Sequence, residues 1–506
     1  MRFRWTAAAF TTAIVVAMCS GWGLGPRSAA ASPEMTDQAI SDKVEDQLLF
    51  DPGVVSTKID VYTSDGIVTL TGEVNNILAK ERATRVAETV RGVRAVVNRI
   101  EMSSAALRPD DQIRQDVEEA LQADPATRSY IITATVENGE VTLTGSVNSY
   151  QQRDLAKIVA KGVRGVRAIE DRINVAYKID RPDEEIQNEI EQALRWNAHV
   201  DDHLIEVSVD NGDVTLSGVV GSAAEKRSAE YNAWVANVKS VDSSKLTVER
   251  WARDEELRGE KYVVKSEQEV QSAVRRALLQ DPRVNPFDVT VDVTGSVVTL
   301  RGEVGNLKAK LATEQDARNT VGVSDVHNRL RVRPTTPRAD SEIAEDVRGA
   351  LLRDPYIDRF EITVTVVDGT VFLYGTVDSY FERNRADDLA SRIFGVVDVT
   401  NHLRVDLDTP YSYDPYVDDA YVGQDPLAGY ERRAPGKTDT QIKESIESHL
   451  WWSPFVNSNH VNVAVNNGIA TLTGTVGSWS ERQAATKNAY DGGATLVSND
   501  LIVDTD

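Results

Sequence analysis

Any chemistry in this chain would have to start from its six histidines and its one cysteine. A nucleophilic triad needs an imidazole beside a serine or cysteine held in a characteristic turn. His199, His203, His327, His402, His449 and His460 have no such motif near them. No glycine-rich phosphate loop or dinucleotide fingerprint is present either. The stretch His199-Val-Asp-Asp-His203 could gather two imidazoles and two carboxylates around zinc if it were helical. Its place between a helical stripe and a hairpin makes it a loop, and the corresponding stretch near the C-terminus keeps only His460. The sequence therefore predicts no catalytic residue, no metal, no cofactor and no small-molecule substrate.

Ionic contact is the other chemistry on offer. A formal net charge of −23 argues against nucleic acid as a partner, because phosphate contacts need clustered Lys and Arg. Within that acidic total the charge is polarised. Residues 34–51 hold six acids and one lysine, whereas residues 77–100 hold Lys80, Arg82, Arg85, Arg91, Arg94 and Arg99 against Glu81 and Glu88. The bias returns in Arg153, Lys157, Lys161, Arg164, Arg167 and Arg172. Helices carrying Lys80, Arg82 and Arg85, or Arg153, Lys157 and Lys161, could face anionic phospholipid headgroups, each cation near the surface contributing about 1 kcal/mol. The competing reading is a solvated face that pairs with the acidic helix of a neighbouring domain. Trp196, Trp234, Trp451, Trp452 and Trp479 offer either a recognition surface or packing between domains.

The elements that must position these groups are written six times. Val68-Thr-Leu-Thr-Gly72-Glu-Val74 recurs with small changes at 141–147, 214–220, 298–304, 371–377 and 470–476. Alternation puts Val68, Leu70 and Val74 on one face of a strand, and Gly72, Gly145, Gly218, Gly302, Gly375 and Gly474 mark a bend or a close backbone approach. Upstream of each motif runs an i, i+4, i+8 apolar stripe such as Ile40, Val44 and Leu48, the buried face of a helix. An acid, Asp37 in the first copy, precedes each stripe and is expected to cap the helix or complement its dipole. Asp65-Gly66, Asn138-Gly139, Asn211-Gly212, Asp368-Gly369 and Asn467-Gly468 signal tight hairpin turns, and the fourth copy, with Gly295 one residue early, signals a different turn. After the motif come a second helix, a stop such as Gly92-Val93, and a returning strand through Asn98-Arg99-Ile100. The third and sixth copies depart from that stop, which predicts a different start for their last strands.

The order helix, strand, strand, helix, strand, the V-x-L-x-G-x-V strand and the G-V-x-x-V-x-N/D-x-L/I ending resemble the BON domain, named after bacterial OsmY and nodulation proteins. The fold class expected is α+β, a tandem array of six small domains, each a three-stranded mixed sheet with two helices on one face. The domains fall at 35–104, 108–178, 181–250, 265–334, 338–407 and 437–505, separated by a linker at 251–264 and an acidic, Tyr- and Pro-rich linker at 408–436. The resemblance implies an exported, non-enzymatic binding protein of the bacterial envelope, associated with osmotic or envelope stress. Its expected partners are anionic phospholipid membrane surfaces or envelope proteins, bound weakly and multivalently. A structural or chaperone-like scaffold is the alternative.

The copies pair as one and four, two and five, three and six, so the chain reads as a three-domain block written twice. Gly72 to Gly302 and Gly145 to Gly375 both span 230 residues, while Gly218 to Gly474 spans 256 because residues 408–436 are inserted. At the N-terminus, Arg2 and Arg4 before an apolar run, then Ala29-Ala30-Ala31-Ser32, read as a secretory signal peptide over 1–32 and place the protein in the periplasm. Val16-Ala17-Met18-Cys19 resembles a lipobox, but Met18 stands where a small residue is expected. With Cys19 inside that segment, the mature chain has no thiol and no disulfide.

Overall fold

The computed structural model describes residues 35–54, 59–103, 108–177, 181–253, 261, 265–357, 362–405 and 437–504. The expected signal peptide with Cys19, most of the 251–264 linker and all of the 408–436 linker lie outside the described residues. What remains folds as six three-stranded sheets and twelve α-helices, two to a sheet.

The first unit shows why the sequence makes these elements. A helix over Asp37–Phe50 is capped by Thr36, whose hydroxyl accepts the N–H of Ala39, and it buries Ile40, Val44 and Leu48. Asp37 is not the cap. It lies in the first turn, where its carboxylate accepts the N–H groups of Asp65 (2.8 Å) and Gly66 (2.9 Å) at the hairpin tip. The same grip recurs from Asp110, Asp183, Asp340 and Asp439, so each acid ties the start of its helix to a turn 28 and 29 residues away. At Asp65 and Gly66, φ is +52° and +73°, as a type I′ turn requires. In the fourth unit's hairpin turn only Gly295 has positive φ (+60°), which makes a type II′ turn, and Glu267 accepts its N–H alone.

The motif strand, Ile67–Val74, is central in its sheet, antiparallel to Ile59–Ser64 and parallel to Ala95–Met102. Val68, Leu70 and Val74 face the two helices, while Thr69, Thr71 and Glu73 line the open face. The motif glycine is required by crowding. At Gly145 (φ +146°) a Cβ would stand 2.1 Å from the carbonyl oxygen of Ile131, and at Gly218 (φ +112°) 2.0 Å from that of Leu204. Asn98 then locks the last strand to the second helix (Ile77–Glu88). Its amide donates to the carbonyl of Lys80 at 2.7 Å while its oxygen accepts the N–H of Ile100. In the third unit Asn237 (φ +72°) stands in for the missing glycine, and the strand Ser240–Val248 carries a register shift opposite Thr215 and Ser217.

Each unit has its own apolar cluster, yet the clusters are shared at their edges. Ile77 of the first unit is buried in the core of the second, and Leu307 of the fourth in the core of the fifth. Contacts run from each unit to the next and from the sixth back to the first, so the six form a closed circuit.

Candidate functional site

The groups singled out by type and spacing are mostly found in the joints between units. Arg82 is 5% exposed. It forms a two-pronged ion pair with Asp51 (2.6 and 3.0 Å) and lies 4.9 Å from the ring of Phe381 of the fifth unit. Lys161 pairs with Glu81 of the first unit at 2.6 Å. Arg153 lies over Tyr150, which stacks on Trp234 of the third unit at 4.0 Å and 5°. Lys157 is held by Asp154 and Asp171 within its own unit. Arg85 is half-buried with its Nε enclosed, and Lys80 is half-buried. The structure thus brings Arg82, Arg153 and Lys161 to the joints, and it does not assemble the six cations into one exposed face.

The tryptophans occupy the same kind of place. Arg91 sits 5.1 Å from the ring of Trp451 and donates its backbone N–H to the carbonyl of Trp452, joining the first unit to the sixth. Trp196 packs against the core of the fourth unit, and Trp479 lies 4.5 Å from the guanidinium of Arg318. Sequence reasoning favours packing between domains for these rings, and the structure names the partners, which lie too far along the chain to leave a local signal.

Buried ionic groups cement the joints further. Lys308 of the fourth unit meets Asp388 of the fifth at 2.8 Å, both buried. Burial alone would raise the Asp388 carboxyl, but Arg392, Lys308 and Arg385 around it hold it well below the usual carboxylate range. Burial draws Lys308 down to about 8 against the pull of Asp388. His199 sits between three units, its Nε2 within 3.1 Å of Asn319 and 3.3 Å of Ser480, and burial lowers it to about 4.

His199 and His203 do not come together. The ligand atoms of Asp201, Asp202 and His203 do lie within 4.8 Å of one another. His203 Nδ1 is bonded to Asp201 at 3.1 Å, and the buried ammonium of Lys261 stands 3.2 Å from Asp202 while donating to the carbonyls of Leu194 and Val200. The Lys261 ammonium thus offsets part of the negative charge of this cluster.

Of the accessible cations, Arg99 and Arg172 belong to the charge bias read from the sequence but not to the helical cations expected to face lipid. Register pairs Thr71 with Arg99, Thr144 with Arg172, Ser217 with Lys245, and Arg301 with Arg329 across the open faces. All four third-strand cations are exposed, one per unit at the same place, with Arg172 held by Glu170 at 2.6 Å. For Arg99, Arg172 and Arg329 the signal was the residue after the Asn or Asp of the strand ending, visible once the outward face is known; Lys245 follows Ser244, beyond the register shift.

Six repeats of one helix–strand–strand–helix–strand unit, packed through both their first and second helices and open on the opposite sheet faces, define a tandem-repeat α+β protein. The sequence profile of the BON domain matches residues 36–104, 109–177, 182–250, 266–334, 339–406 and 438–505, and the chain belongs to the BON domain family. It is 32% identical over 141 residues to osmotically-inducible protein Y of Escherichia coli, a match covering 27% of this chain and 70% of that protein. It is 29% identical over 164 residues to the outer membrane lipoprotein DolP of Haemophilus influenzae, covering 30% and 84%. A 21 kDa hemolysin of Actinobacillus pleuropneumoniae is 29% identical over 154 residues, covering 29% and 78%. Among the described residues no helix is long and apolar enough to cross a membrane.

Proposed function

We propose that this chain is an exported, non-enzymatic binding protein of the bacterial envelope that supports osmotic or envelope-stress tolerance through several weak contacts with anionic phospholipid surfaces. The names of its relatives, one osmotically inducible and one an outer membrane lipoprotein, support the compartment and the stress setting. The observation that carries the binding mode is the division of the cations. Arg82, Arg153 and Lys161 are engaged between units, whereas Arg99, Arg172, Lys245 and Arg329 are exposed at one repeated position on the open sheet faces. Lipid contact then rests on this second set. Each contact is feeble on an acidic molecule, and attachment depends on several acting at once.

The test is flotation of the mature protein with phosphatidylglycerol-containing vesicles. Recovery should fall with rising salt, and fall about 10-fold or more when Arg99, Arg172, Lys245 and Arg329 are all changed to Glu. No salt-sensitive flotation would reject the lipid part. One observation favours a second reading, a scaffold for envelope proteins. Both outer strands of each sheet pair on one side only, so they offer backbone donors and acceptors to another chain. Protein partners retained from an envelope extract by vesicle-free protein would support that reading instead.

A further inference from the structure

The contacts between the first three units and the last three repeat themselves with the roles exchanged. Arg164 of the second unit donates its backbone N–H to the carbonyl of Arg353 in the fifth (2.6 Å), and Phe394 of the fifth donates to the carbonyl of Ala123 in the second (3.0 Å). Arg164 and Phe394, like Ala123 and Arg353, are 230 residues apart, the repeat distance of those units. Arg91 of the first unit donates to the carbonyl of Trp452 in the sixth, and Val321 of the fourth donates to the carbonyl of Trp196 in the third, both at 2.9 Å. These too are equivalent positions, offset by 230 and 256 residues. Within the blocks the agreement continues. Tyr150 packs on Trp234 as Tyr380 packs on Tyr490, and Ile77 enters the next core as Leu307 does.

A contact in which residue i meets j while the equivalent of j meets the equivalent of i is isologous, the pattern of a two-fold dimer. Its shared bonds are backbone to backbone, so they survive where side chains have diverged. We propose that each three-unit block carries a separable, self-complementary docking surface, and that the partner it fits is a block of the same pattern. The molecule is a pseudo-homodimer written on one chain, held by this surface together with Lys261 of the connecting segment, whose ammonium is buried in the third unit and stays with the second block after a cut in 254–260. Side chains add to it: the Arg164 guanidinium donates to the carbonyls of Asp354 and Ile357, each at 2.8 Å, and Arg353 pairs with Glu119 at 3.0 Å. On the related half, Phe394 lies 3.8 Å from the guanidinium of Arg128.

The experiment uses the full chain with a specific protease site replacing residues 254–260. After cleavage the halves should elute together at the mass of the uncut protein. Arg164→Glu should part them at a concentration at least ~10-fold higher than for the parent, because charged hydrogen bonds are lost across the surface. Phe394→Ala acts on the related half and should weaken the pair in the same direction, so a folding defect in one variant does not decide the matter. After dilution until the halves part, reconcentration with a tagged preparation should give tagged first blocks carrying untagged second blocks. Halves that separate on cleavage, variants as tight as the parent, or an absence of mixed pairs would overturn the proposal.

Discussion

Asp387 shows how much one side chain in a joint-forming helix depends on its surroundings. It is buried near Asn401, Asp388, Arg383 and Asp398, and burial lifts its carboxyl to about 7, with Asp388 pushing the same way and Asn401 and Arg383 opposing. The folded state favours the protonated form relative to the unfolded chain. The benefit is complete below about pH 4 and is lost as pH rises to 7. Asp387→Asn keeps the shape without the ionisation. Its melting temperature should exceed the parent's at pH 8, by an amount corresponding to roughly 3 kcal/mol, and match it near pH 4, as followed by circular dichroism across that range. A variant with the parent's pH dependence would show that Asp387 does not titrate in this window. The motif glycine makes a complementary case. Gly218→Ala should cost about 3 kcal/mol or more in urea unfolding, because its methyl group would meet the Leu204 carbonyl at 2.0 Å.

Among the elements, those with local causes were legible and those with distant causes were not. The motif strand, the hairpin turn and the helix stripe each follow from residues within a few positions, and the expected mixed sheet with its two helices is what the chain forms. The clamp from Asp37 to Gly66 was missed, since an acid before a helix already has a sufficient explanation as a cap or dipole partner. The placement of Arg82 escaped for a stronger reason. Its basic helix reads as a surface until Phe381, some three hundred residues on, is known to lie beside it. Trp234 tests the joint between the second and third units. Trp234→Ala removes the stack on Tyr150, and hydrogen exchange should quicken by about 10-fold in the backbone of 149–155 and 233–238 while the motif strands stay protected. Unchanged exchange there would show the stack to be incidental.

For the whole molecule, the circuit closed by Arg91 and Trp452 has a consequence in time. A ribosome delivers the units in order, and at about 5–20 residues per second the sixth follows the first by roughly 20–80 s. The third unit meets its counterpart almost at once, the second waits longer, and the first waits longest. Throughout that interval the earliest-made part displays surfaces meant for the last, which makes birth the period when this protein is most open to chaperones and proteases.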